Sequence, residues 1–146
     1  MKKWIALLLA CLLLLTGCNK EDGVSDSLRE EIQRAYRKEF NPPPTFEFKN
    51  EDDDTIAGMQ YYGTYNGYVV LFDEGPLCVM SSEKIGNETF KWGSNFSLYA
   101  YKDGQFHELS DVYDEGHIND GQIAQIAQVH KDYFSTRNNW DYDMEE

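Results

Sequence analysis

The stretch MQYYGTYNGYVVLF, residues 59–72, constrains the fold most. It is dense in Tyr, Val and Phe, the residue types that suit a pleated strand, and it is split by Asn66-Gly67. Both central positions of a type I′ turn need positive φ, so Asn-Gly between two such runs predicts a tight antiparallel hairpin. A second hairpin is expected in LYAYKDGQFHEL, around Asp103-Gly104. Its register is open: a two-residue turn sets Phe106 opposite Tyr101, whereas a three-residue turn with a Gly bulge sets it opposite Ala100 and on the other face. A further strand is expected over LCVMSS, and TFKWGSNFSLYAY continues the sheet after Gly86.

Helices flank this β-rich middle. In SLREEIQRAYRKEF, Leu28, Ile32, Ala35, Tyr36 and Phe40 recur at helical spacing, and Ser27 with Glu30 has the form of a capping box. Asn41 and Pro42 to Pro44 stop that helix. TFEFKNEDDD begins as strand-like alternation and ends in four consecutive acids, Glu51 to Asp54, read as an exposed loop. Near the C-terminus, Ser110 to Glu115 predicts a short helix closed by Gly116, and Asp120 to about Phe134 a longer one. Asn119 can cap the longer helix, Gln122 sits at the capping-box position, and Ile118 can staple onto Ile123. The expected fold class is α+β: an antiparallel meander of about four to five strands, with an N-terminal helix and a C-terminal helical pair packed on one face.

Lys2 and Lys3 precede eleven uncharged residues, Ile5 to Leu15, and then Thr16-Gly17-Cys18. A basic start, a short apolar core and small residues at its end form a secretory leader, too short for a span that needs about 20 apolar residues. The tetrad Leu15-Thr16-Gly17-Cys18 resembles the lipobox of bacterial lipoproteins. That resemblance implies cleavage before Cys18, a diacylglyceryl group on its sulfur, and a protein held outside the cytoplasm at the outer face of the cell membrane. The implied layout is a leader over 1–17, a lipidated Cys18 with a flexible tether to 26, one domain over 27–134, and an acidic tail over 135–146. Eight extended tether residues, 19–26, would reach roughly 30 Å. Cys11 leaves with the leader and Cys18 is acylated, so Cys78 stands alone, expected as a buried apolar residue, and no internal disulfide is possible.

Charge narrows the partners. The chain has 13 Lys and Arg against 26 Asp and Glu; without the two leader lysines the balance is 11 against 26, a formal −15. Phosphate backbones need cations on the protein, so nucleic acid is excluded as a partner, and the body is poorly suited to an anionic lipid surface. The blocks YYGTYNGYVVLF and LYAYKDGQFHELSDVYDEGHINDGQIAQI, within Tyr61 to Ile126, resemble a module of small uncharacterised lipoproteins and exported proteins of Gram-positive, often gut-dwelling, bacteria. The resemblance implies fold class and location and carries no catalytic residue.

Sites for chemistry are sparse. An EF-hand loop starting at Asn50 would place Thr55 where Gly is needed and Tyr61 where the bidentate Glu belongs, so the acidic loop reads as solvated. His107, His117 and His130 sit at no metal-ligand spacing, and His130 falls on the apolar stripe of the last helix, where a hydrogen-bonded core histidine fits. No GxSxG elbow is present, and no metal, cofactor or catalytic residue is expected. The strands instead concentrate Tyr61, Tyr62, Tyr65, Tyr68, Trp92, Tyr99 and Tyr101. Tyr65, Trp92, Tyr99 and Tyr101 are the candidate binding surface, on the expectation that alternation sends some of them to a face without helices. The leading expectation is a non-catalytic module, anchored through Cys18, that binds a protein or glycan ligand. The alternatives are a small surface hydrolase of envelope sugars or peptides, and an inhibitor or immunity protein for a cationic enzyme.

Overall fold

A computed structural model describes residues 22–42, 58–74, 81–92 and 96–135. Helix α1 (Asp26–Phe40) precedes strands β1 (Gly58–Tyr65), β2 (Tyr68–Glu74), β3 (Ser81–Ile85), β4 (Glu88–Trp92), β5 (Phe96–Lys102) and β6 (Gln105–Glu108). Helices α2 (Leu109–Asp114) and α3 (Asp120–Ser135) follow. Strands β1-β2-β5-β6 form one antiparallel sheet in that order, and β3-β4 form a separate hairpin inserted between β2 and β5. The α+β class with an antiparallel sheet, an N-terminal helix and C-terminal helices packed on the sheet is as expected. The third strand begins at Ser81, and the run expected to continue the sheet after Gly86 is two strands, β4 in the hairpin and β5 in the sheet. Cys78, the acidic loop 51–54 and the tail from residue 136 lie outside the described residues.

Turn chemistry explains the register. Tyr65 pairs with Tyr68 across Asn66 (φ 49°) and Gly67 (φ 80°), the two positive values a type I′ turn requires. Asp103 (φ 50°) and Gly104 (φ 82°) repeat the device with Lys102 opposite Gln105, which settles the open register: Phe106 faces Tyr101. Within β1 the pairing skips from Tyr61↔Leu71 to Gly63↔Val70, so Tyr62 is an extra residue, a bulge. The bulge turns Tyr62 and Tyr65 toward the same face, where the Tyr65 hydroxyl donates to the Tyr62 carbonyl at 3.1 Å.

The sheet is covered on both sides. On one face Val70, Phe72, Leu98 and Ala100 pack with Ile85, Phe90 and Trp92 of the hairpin and with Leu109, Ile123, Ile126 and Phe134 of α2 and α3. On the other, Met59, Tyr61, Val69, Leu71 and Tyr101 pack against Val24, Ile32 and Tyr36. The expectation of helices on one side, leaving a helix-free face, is therefore corrected: α1 lies on the face opposite to α2 and α3. Val69 to Phe72 are four consecutive residues no more than 2 % exposed, and a strand apolar at every position needs cover on both faces.

The helix ends show why each helix starts where it does. Ser25, not Ser27, caps α1 by accepting from the Leu28 N–H at 3.3 Å, so the helix begins at Asp26 and the capping box over Ser27 and Glu30 is not formed. Asn41 closes it in the left-handed region (φ 44°). Helix α2 ends through His117 N–H to Val112 O at 3.0 Å and Gly116 N–H to Tyr113 O at 2.8 Å, a Schellman closure at Gly116. Helix α3 carries the expected box: the Gln122 N–H donates to Asn119 Oδ1 at 3.0 Å, and the Asn119 N–H to Gln122 Oε1 at 3.1 Å.

Candidate functional site

The four aromatic residues expected to form a solvent-facing platform are placed inside or between the two cores. Trp92 is 8 % exposed and packs with Phe90 and Ile85 under α3, so it belongs to the hairpin's share of the core. Tyr101 is 2 % exposed beneath α1, and Tyr99 is half-buried with its ring 5.0 Å from that of Phe40. Tyr65 is half-buried, and burial pushes its hydroxyl pKa up. The physical reason is that both faces are covered: α1 seals the face carrying Tyr99 and Tyr101, and Trp92 and Tyr65 pack into the core under α2 and α3. These four residues do not come together as one surface.

What the fold does bring together is a groove at the sheet end where the two type I′ turns lie. Its floor is Val69 and Tyr101; Leu28 and Glu31 of α1 form one wall, and Gly67, Lys102 and Asp103 of the turns form the other. The opening encloses about 370 Å³. The Tyr101 hydroxyl donates to Glu31 Oε1 at 2.7 Å; its burial and that carboxylate push the pKa up to about 12. Lys102 Nζ lies 4.7 Å from the Tyr68 ring centre. Sequence reasoning had marked only Tyr101 here. Its other lining residues come from α1, β2, the end of β5 and both turns, and no local pattern joins segments so far apart in the chain.

The remaining polar groups of the interior serve the fold. His130, fully buried, sits between Tyr62, Phe72, Phe90 and Phe134. Its Nε2 donates to the Lys91 carbonyl at 2.7 Å, so Nδ1 accepts from the Tyr62 hydroxyl at 2.8 Å. Burial lowers its pKa to about 4, and the ring is neutral at pH 7: the expected core histidine. His107 and His117 both lie against Tyr68, with ring centres 6.1 and 5.8 Å away. No group of three or more His, Cys, Asp or Glu positioned to hold a metal occurs among the described residues. At the far end of α1 the Tyr36 hydroxyl donates to Asp73, whose carboxyl is raised above its usual range by burial, with the tyrosine's bond opposing that shift.

The start of the folded chain is clamped. Asp22 pairs with Arg29, and both side chains are largely buried. Asp22 Oδ1 also accepts from the Val24 N–H at 3.0 Å, Arg29 Nε donates to the Val24 carbonyl at 3.2 Å, and the guanidinium sits 4.3 Å over the Tyr61 ring. Val24 itself is fully buried. The boundary between tether and domain is thereby moved: residues 22–26, expected in a flexible tether, are part of the folded body. A packed valine, a hydrogen-bonded ion pair and a helix cap hold them.

No helix among the described residues is long and apolar enough to cross a membrane. Comparison of the chain with protein-family models, with curated proteins and with solved structures returned no match.

Proposed function

We propose that this chain is a membrane-anchored extracytoplasmic lipoprotein whose body works as a non-catalytic binding module for a protein or glycan ligand. The observation that carries the reading is Leu15-Thr16-Gly17-Cys18 at the end of a basic-apolar leader. Two long acyl chains on one residue anchor firmly, whereas a single chain binds only marginally. Two features of the fold support the binding role. The interior histidine is committed through both ring nitrogens, and the α1–turn groove joins an apolar floor to Glu31, Asp103 and Lys102 at its rim. A body with more than twice as many acidic as basic residues, 26 against 11 without the leader, suits a ligand that is neutral or cationic.

The test has two arms. Cells fed an alkyne-bearing fatty acid are expected to label the wild-type protein in the membrane fraction, and Cys18→Ser to lose the label. Label that persists in Cys18→Ser contradicts the anchor. In the second arm, Leu28→Arg projects a charged side chain into the groove. Retention of a leaderless form that begins at Asn19 on isolated cell envelopes is expected to fall several-fold with that change, and unchanged retention contradicts the groove as the binding place.

A further inference from the structure

The clamp at the start of the fold sets which side of the body faces the bilayer. If Cys18 carries the lipid, as proposed above, only the four residue steps from Cys18 to Asp22 separate the anchor from a fixed point of the domain. Fully extended, four steps reach about 14 Å. Asp22 is fixed because Arg29 holds it and in turn grips the Val24 carbonyl and the face of Tyr61 on β1. A body of about 110 residues has a radius of gyration of roughly 13 Å, a sphere about 33 Å across. The stalk is thus shorter than the body's own radius, and a body so held cannot turn its opposite side to the membrane.

We infer that the side formed by edge strand β1 and the N-terminal turn of α1 is the membrane-facing side, kept within the stalk's reach of a lipid bilayer. Strand β6 lies three strand spacings from β1, about 14 Å farther across the sheet. Helix α2 follows β6 directly and packs on the opposite face. The groove lined by Leu28, Glu31, Gly67 and Lys102 shares α1's N-terminal half, so it opens beside the headgroups and admits ligands that lie at the membrane surface. The outward side carries β6, α2 and the exposed Asp111 and Asp114.

The inference rests on lipidation at Cys18, and its test separates the two. Full-length processed lipoprotein, its acylation checked by mass, is reconstituted in phosphatidylcholine vesicles with an acceptor dye on a fraction of the headgroups. A donor dye is attached through an azide-bearing residue at exposed Thr64 on β1 or at exposed Asp111 on α2. Energy transfer from position 64 is expected to exceed that from position 111 by roughly twofold or more, given the separation of the two edges. Adding twelve Gly and Ser residues between Lys20 and Glu21 is expected to erase the difference, because a flexible stalk lets the body tumble. Equal transfer from the two positions on acylated protein, or greater transfer from position 111, overturns the orientation while leaving the anchor intact, and a difference that survives the longer stalk overturns the short stalk as its cause. An unacylated Cys18 overturns the anchor and the orientation with it.

Discussion

At the residue scale, burial decides what the ionisable groups contribute. His130 titrates near 6.5 when unfolded and near 4 when folded, so the unfolded chain binds more protons between those values. Stability therefore rises with pH across that window and is lost below it, by roughly 3 kcal/mol from this one ring. In urea melts between about pH 4 and 8, His130→Gln is expected to be less stable than the wild type at neutral pH and to show a flatter slope through the window. Parallel slopes would mean the ring titrates normally in the fold. Asp73 carries the opposite sign, because its folded pKa is raised: the stability it contributes is present below its unfolded value of 3.8 and is lost as pH climbs through the folded one. Asp73→Asn keeps an acceptor for Tyr36 and removes the buried charge, so its midpoint at neutral pH is expected to equal or exceed that of the wild type. Asp73→Ala, which removes this acceptor of the Tyr36 hydroxyl, is expected to cost about 1–3 kcal/mol.

At the element scale, what was legible in the sequence was local chemistry. The Asn66-Gly67 turn, the Asn119/Gln122 box, the Gly116 closure and the α3 stripe each lie within a few residues of their cause, and each is present. The α1 start differs from the sequence expectation because Ser25 and Ser27 both have capping chemistry; burial of Val24, a tertiary fact, selects Ser25. The Tyr62 bulge and the placement of Tyr99 and Tyr101 under α1 depend on which faces are covered. The unbroken Val69–Phe72 run was the one sequence signal for that. Asn66 links elements as well as making a turn: its Nδ2 donates to the His117 carbonyl at 2.8 Å and to Gln122 Oε1 at 3.2 Å, tying the first hairpin to the start of α3. Asn66→Asp suits the same turn but sets a carboxylate against two acceptors. It is expected to cost about 1 kcal/mol by thermal melting, while Asp103→Asn in the matching turn changes little. Equal effects of the two substitutions would show that Asn66 acts through turn geometry alone.

At the scale of the whole molecule, the sheet divides the apolar interior into two layers, and each is closed by a different end of the chain. The layer under α2 and α3 holds the larger share, with Phe72, Phe90 and Phe134 fully or nearly fully buried, and Phe134→Ala is expected to cost about 3–5 kcal/mol. The layer under α1 is sealed by the Asp22–Arg29 clamp, so the element next to the proposed anchor is also the one that closes a core. Hydrogen exchange is expected to find the Val24 amide protected, because Asp22 Oδ1 holds it; exchange at the rate of a free peptide would place residues 22–25 outside the fold. On the proposed anchor at Cys18, a body folded from Asp22 onward leaves a stalk too short to let it roam, which would make location inseparable from orientation.

The claim from which location and orientation both descend is the proposed acylation of Cys18. Mass spectrometry of the N-terminal peptide from the native membrane fraction tests it directly. The expected product begins at Cys18, lacks residues 1–17 and carries the mass of a diacylglyceryl group on the sulfur. A peptide with a free Cys18 thiol, or one that retains the leader, would contradict the account.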